Sequence, residues 1–164
     1  MPVDLTPEEM NSYRNAFASM EHIISALSVS VPPVSSAYNH GADTKTLVRV
    51  LVITNTLVTA SMMILHNLFS DSIPESLQKT VLAAQSVLQS IRELEVPAHI
   101  NPIVGTLFSV AGRILVHSIR KAKSERSAWP GVGPNADESM MRTSLTEGIT
   151  FMSMLAVDNP FLGE

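Results

Sequence analysis

Residues 50–65 read VLVITNTLVTASMMIL, sixteen positions without a charge between Arg49 and His66. Two readings compete for such a run: a membrane span, or a helix covered by other helices. A bilayer requires about 20 predominantly apolar residues. This run is shorter and is interrupted by Thr54, Asn55, Thr56, Thr59 and Ser61. The expectation is therefore a central buried helix from about Asp43 to Phe69, in an all-α protein that does not enter a membrane.

On its N-terminal side, Thr6-Pro7-Glu8-Glu9 supplies a capping hydroxyl, a proline in the first turn and a carboxylate three residues on, the pattern of a capping box. Met10, Tyr13, Phe17, Met20, Ile24 and Leu27 follow at spacings of 3 and 4, which places them on one helical stripe that should face something apolar. Residues 29–42 read as a linker, because Pro32 and Pro33 interrupt helical hydrogen bonding and Ser, Asn and Gly supply turn chemistry.

On the C-terminal side, Ser70-Asp71-Ser72 is a turn, and Ser72 with Glu75 forms another candidate capping box. Leu77, Val81, Ala84, Leu88 and Ile91 then make the inward stripe of a third helix that stops at Val96-Pro97-Ala98. Asn101-Pro102 restarts the chain, and Ile103, Leu107, Val110 and Ile114 predict the inward stripe of a fourth helix. Gly105 and Gly112 sit inside that helix at about 1 kcal/mol each against alanine, and either close helix approach or simple tolerance explains them. Residues 124–136 read as a Pro/Gly-rich flexible loop. A last helix from about Asp137 to Ala156 carries Met141, Leu145, Ile149, Met152 and Leu155 on its stripe. Neither strand alternation nor an internal repeat is visible.

About five helices result, a bundle or a piece of a larger helical region. The chain has 164 residues, 45% of them hydrophobic and 16% charged, so residues 1–164 are expected to form a single helical domain or a fragment of one. A formal charge of -4 argues against a phosphate-binding face as the dominant feature. The cysteine count is zero, which removes disulfides, thiolate nucleophiles and cysteine-ligated metal sites. Met1-Pro2-Val3-Asp4 lacks the basic leader and apolar stretch of a secretory signal, so the cytosol or nucleus is expected.

No catalytic, cofactor-binding or metal-binding residue is assigned. His22, His40, His66, His99 and His117 are nowhere three or four apart, as a helical metal site requires. Gly131-Val132-Gly133 is not a dinucleotide loop, since no strand precedes it and Pro134 follows. A nucleophile elbow and an Asp-rich magnesium cluster are both missing from the sequence. Arg113, Arg120, Lys121, Lys123 and Arg126 gather toward the end of the fourth helix, where cations oppose the carbonyl end of the helix dipole; the alternative is a small basic face. His66 is expected to be a satisfied polar group holding the turn at the end of the second helix. Nine methionines, among them Met62-Met63 and Met140-Met141, give an adaptable apolar lining suited to core packing or to varied hydrophobic ligands.

Leu65-His66-Asn67-Leu68-Phe69, Pro74-Glu75-Ser76 with Lys79 and Ala83-Ala84, and Ile100-Asn101-Pro102-Ile103-Val104-Gly105 leading into Ala111-Gly112-Arg113 form an ordered set. Over roughly Thr46 to Lys121 this set resembles the C-terminal part of the helical regulatory region of fungal zinc binuclear cluster transcription factors. The resemblance implies a nuclear, non-catalytic regulatory region that modulates transcription through protein contacts, self-association or a small-molecule effector. The six-cysteine DNA-reading module of that family is absent from this chain, so neither zinc nor direct DNA binding carries over, and no cofactor is expected. The chain is then a C-terminal fragment of a longer regulator or a divergent stand-alone protein. The alternative reading is a helical small-molecule-binding protein or enzyme with a pocket between the second and fourth helices.

Overall fold

A computed structural model describes residues 6–39, 44–92, 102–127 and 136–158. The described residues form five α-helices and one 3-10 helix, with no strand: α1 Pro7–Ser30, a 3-10 helix Val34–Asn39, α2 Thr44–Asn67, α3 Pro74–Arg92, α4 Pro102–Ser127 and α5 Ala136–Asp158. The fold is all-α, as the periodicity indicates.

The capping box at the head of α1 forms as read. Thr6 N donates to Glu9 Oε2 at 2.8 Å and Glu9 N donates to Thr6 Oγ1 at 3.3 Å, which satisfies two of the amides a helix start leaves open. The corresponding box at Ser72 does not form. Instead α3 starts at Pro74, with the Ile73 carbonyl accepting from Leu77 N at 3.1 Å, and Glu75 turns to Lys79 at 3.5 Å.

Residues 29–42 are not an open linker in their described part. Helix α1 continues to Ser30, the two prolines then stop it, and the chain folds at once into the 3-10 helix. This segment lies on α2: Ala37 is fully buried, and Asn55 Nδ2 donates to both Leu51 O and Pro32 O. His40 to Asp43 lie outside the described residues.

The polar interruptions of the 50–65 run are absorbed by α2 itself. Thr54, Thr56, Thr59 and Ser61 each donate the side-chain hydroxyl to the carbonyl four residues earlier, at 2.7–2.9 Å, so a buried Thr56 leaves no polar group unpaired. The helix is covered by α1, the 3-10 helix and α3 around most of its circumference, and one strip stays open. Leu51, Val52, Val58, Ala60, Met63 and Leu65 are buried, while Val50, Leu57 and Ile64, seven residues apart, stay exposed. By length and composition both α2 and α4 are apolar enough to cross a membrane, with 33% of the apolar window of each buried.

Helix α2 packs chiefly on α3, α3 on α4, and α5 closes against α3 and α4. Their shared core contains Ala60 and Met63 of α2, Ala84, Val87 and Leu88 of α3, Val104, Leu107, Ala111, Ile114 and Leu115 of α4, and Met141 and Phe151 of α5. Full burial of one leucine is worth about 1.5–3 kcal/mol, so Leu88 and Leu115 at its centre are major contributors.

Several stripes are rotated from the expected phase. In α4, Ile103 is exposed and Val104, Ala111 and Leu115 replace it inward; in α5, Ile149 is exposed and Phe151 points in. Gly112 is a case of tolerance, since an added Cβ would meet Leu145 Cδ1 at an ordinary 3.7 Å. The close approach occurs at Gly148, where an added Cβ would stand 3.0 Å from Phe108 Cε2. Helix α4 runs four residues past Lys123, into the segment expected as loop, and Asn101 and residues 128–135 lie outside the described residues.

Candidate functional site

Three features stand apart from the core: a buried polar cluster where α1 meets α2 and α3, a carboxylate clamped between α4 and α5, and a cleft bounded by α3, α4 and α5.

The first cluster centres on His66, 2% exposed in the last turn of α2. Its ring lies edge-on to Phe17, centroids 5.3 Å apart, and Phe17 also meets Phe69 at 4.7 Å. Nδ1 stands 3.4 Å from Ser76 Oγ, and Nε2 stands 3.2 Å from Glu21 Oε1 at an angle that falls short of a hydrogen bond. Lys79 Nζ donates to the same Glu21 oxygen at 2.8 Å. Burial holds the imidazole below its ordinary pKa, against the pull of the Glu21 carboxylate. Glu21 is lowered by its hydrogen bond from Lys79, and Lys79 is raised by the same bond.

Ser76, His66 and Glu21 thus stand in the order of an acyl-transfer triad. The cluster is buried, Ser76 being 4% exposed, and neither Ser76 nor His66 lines the clefts described below. The cluster fastens α1 to the hairpin of α2 and α3. The expectation that His66 holds the turn after α2 captures its position, while Glu21 and Phe17 show it holding α1 as well.

The second feature is Glu138 in the first turn of α5, 1% exposed. Arg126, near the end of α4, reaches both of its oxygens, and Arg142, one turn on, donates to Oε1 through Nε at 3.1 Å and Nη2 at 2.7 Å. These charged hydrogen bonds, that from Arg142 foremost, hold the carboxyl below its ordinary pKa. Arg126 explains why α4 continues into the expected loop: its last turn is tied to the start of α5. The i,i+4 spacing of Glu138 and Arg142 was the one sequence signal for this clamp.

The basic residues of α4 do not form one face. Arg126 belongs to the clamp and Lys121 lines the larger cleft. Arg113 lines a smaller cleft of about 290 Å³ beside Asp71 and His117, whose side chains are 3.8 Å apart and exposed. That smaller cleft lies between the end of α2, at Asn67, with the turn after it, and the middle of α4, the expected place for a pocket. The larger one, about 470 Å³, is bounded by α3, α4 and α5, away from the expected place between α2 and α4. Leu77, Val81, Leu82, Met140 and Met141 supply its apolar wall. The methionine pairs split by helical geometry, Met63 and Met141 buried and Met140 exposed on the cleft.

Among the described residues no group of three or more His, Asp or Glu side chains is placed to hold a metal ion. His22 and His117 are exposed on separate helices, and His40, His99 and the 131–133 glycine segment lie outside the described residues. No family model, curated protein or solved structure matches the chain.

The remaining feature is a surface. Helix α1 has no buried residue. Phe17, Glu21 and Ile24 turn half inward, and the other half of the heptad-spaced stripe, Tyr13, Met20 and Leu27 with Ile23 beside it, stays in solvent, Ile23 at 64% exposure. The stripe was expected to face something apolar; within this chain only one edge of it does.

Proposed function

We propose that this chain is a non-catalytic helical regulatory module acting through protein contacts, in the nuclear setting that its resemblance to fungal zinc-cluster regulators implies. The observation that carries the reading is the exposed apolar edge of α1. Tyr13, Met20, Ile23 and Leu27 form a contiguous uncovered strip on a helix of 24 residues, long enough for more than three heptads of side-by-side packing.

A second copy of the chain is the occupant that the charges favour. Two-fold pairing brings identical faces together and so penalises a face whose charge is of one sign. Between Glu9 and Ser30 the exposed edge carries none: its flanks are Ser12, Ala16, Ser19 and Ala26, small residues that permit close helix approach. The test is sedimentation of the full chain beside its Met20→Asp/Ile23→Asp variant, each also fused to an unrelated DNA-reading module upstream of a reporter. The expected outcome is a concentration-dependent dimer, monomeric in the variant with helicity retained, and a reporter response that the variant loses. A chain that stays monomeric at high micromolar concentration overturns the contact, and a reporter indifferent to the fusion overturns the regulatory role.

A second reading, a helical small-molecule binder, is favoured by one specific observation: the cleft of about 470 Å³ has the size of a ligand pocket and an adaptable methionine wall.

A further inference from the structure

Ser118 sits on α4 at the wall shared by the two clefts. It is 6% exposed, and its hydroxyl has no hydrogen-bond partner. That is unusual within this molecule. The buried Thr56 and Thr80 each return the hydroxyl to the carbonyl four residues earlier, which spares a buried hydroxyl the penalty of desolvation. Ser118 leaves that penalty in place, on the wall of a cleft that Leu77, Val81 and Met141 also line, with the polar Gln78 and Gln85. A buried polar group without a partner, set in a mostly apolar wall, is the arrangement by which a pocket fixes one end of an amphipathic ligand.

We infer that the cleft bounded by α3, α4 and α5 binds an uncharged amphiphile, an aliphatic chain with a hydroxyl head, and that Ser118 is the hydrogen-bond anchor for that head. The inference rests on the small-molecule reading and is independent of the α1 contact. Charge selects the neutral class. The charged residues on the cleft are Glu125 and Asp137 against Lys121, a net negative set that disfavours a carboxylate head. An ammonium head would lose its hydration at Ser118 without gaining a counter-charge there, since Glu125 and Asp137 stand exposed in the last turns of α4 and the first turn of α5. A hydroxyl both donates and accepts, so it completes Ser118 at little desolvation cost. The chain of the ligand then lies along Leu77, Val81, Leu82 and Met140, with the flexible methionine adjusting to its length.

The experiment is a titration of the full chain, carrying ¹³C-labelled methionine methyl groups, with 1-decanol, decanoate and decylammonium, each below its aggregation threshold. Decanol is expected to shift the methyl signals of Met140 and Met141 while those of Met10 and Met20 on α1 stay in place. Ser118→Ala is expected to weaken that binding about three- to tenfold, the worth of one hydrogen bond, while leaving the urea midpoint unchanged or slightly higher, because it removes an unpaired buried hydroxyl. Leu82→Glu, at an exposed position, is expected to abolish the shifts without unfolding the protein. Preference for decanoate or decylammonium overturns the ligand class while keeping the cleft as a binding site. Silence of Met140 and Met141 toward all three probes overturns the small-molecule reading itself, and equal decanol affinity in Ser118→Ala overturns the anchor.

Discussion

Helix α1 and each of α3, α4 and α5 carry similar proportions of apolar residues and hold their places by different means. The inner group interlocks: Ala84, Val87, Ala111 and Leu115 are completely buried, with Leu88 at 1% exposure, and each helix covers two others. Helix α1 buries nothing completely and rests on α2 and α3 through the Phe17 contact to His66 and the Glu21 contacts to His66 and Lys79. Apolar content therefore does not decide whether a helix belongs to the core. The number of sides on which neighbours meet it does, and a helix met on one side opens at a lower free energy than the whole molecule.

The largest expected effect comes from the interlocked side. Leu115→Ala removes a fully buried side chain and should cost about 2–5 kcal/mol, seen as a lower urea midpoint by every probe of structure at once. A loss confined to α4 would break the comparison by showing that the inner helices open separately. Phe17→Ala should cost less, about 1–2 kcal/mol, because the ring is only half covered. Its signature is local: amide hydrogen exchange should speed up across α1 while α3 and α4 keep their protection. A global loss of protection would place α1 within the cooperative core.

Acidity sharpens the same contrast. His66 has a pKa below its ordinary value in the folded state, so the unfolded or α1-detached chain binds the proton more readily. The stability His66 contributes is thus complete above about pH 6.5 and is lost as pH falls below it. Glu21 and Glu138 are also lowered, and their contributions are lost further down, below about pH 4.3. Protection of α1 amides, corrected for the intrinsic exchange rate, should therefore decline as the pH falls below about 6.5 while α4 and α5 stay protected. Simultaneous loss would show that Glu138 and the core respond to the same proton. Above about pH 10.4 the raised Lys79 acts in the opposite direction, its share being lost as the ammonium deprotonates.

The smallest effect expected is a gain. Gly112→Ala places a methyl group at ordinary contact distance from Leu145 Cδ1 and removes a flexible residue from the middle of α4. The urea midpoint should rise by the equivalent of roughly 0.5–1 kcal/mol. A fall would mean that α4 and α5 lie closer at Leu145 than an ordinary contact allows.

Much of the architecture was legible. The prolines at 7, 74 and 102 stand at the first positions of α1, α3 and α4, where a missing amide costs nothing. Ala84, Leu88, Leu107, Ile114 and Met141 were read as inward and are buried. Ile103 and Ile149 were read inward and are exposed, because a 3.6-residue period identifies an apolar face without saying which of its two edges meets a neighbour. The candidate sites were much less legible. Glu21, His66, Ser76 and Lys79 come from three helices, and Arg126 meets Glu138 across twelve positions, so only the i,i+4 spacing of Glu138 and Arg142 hints at one of the clusters.

The sequence by itself determined the helices, most of their ends and the all-α class, because capping, proline placement and periodicity are local properties of the chain. It also determined that the 50–65 run tolerates burial, since each threonine or serine hydroxyl can reach the carbonyl four residues back on its own helix. Only the tertiary structure decided that α1 keeps half its apolar stripe in solvent, that the larger cleft lies among α3, α4 and α5, and that the Ser118 hydroxyl is buried without a partner. Those outcomes depend on how helices distant in sequence rotate against one another, and total apolar burial sets that rotation, not any single helix.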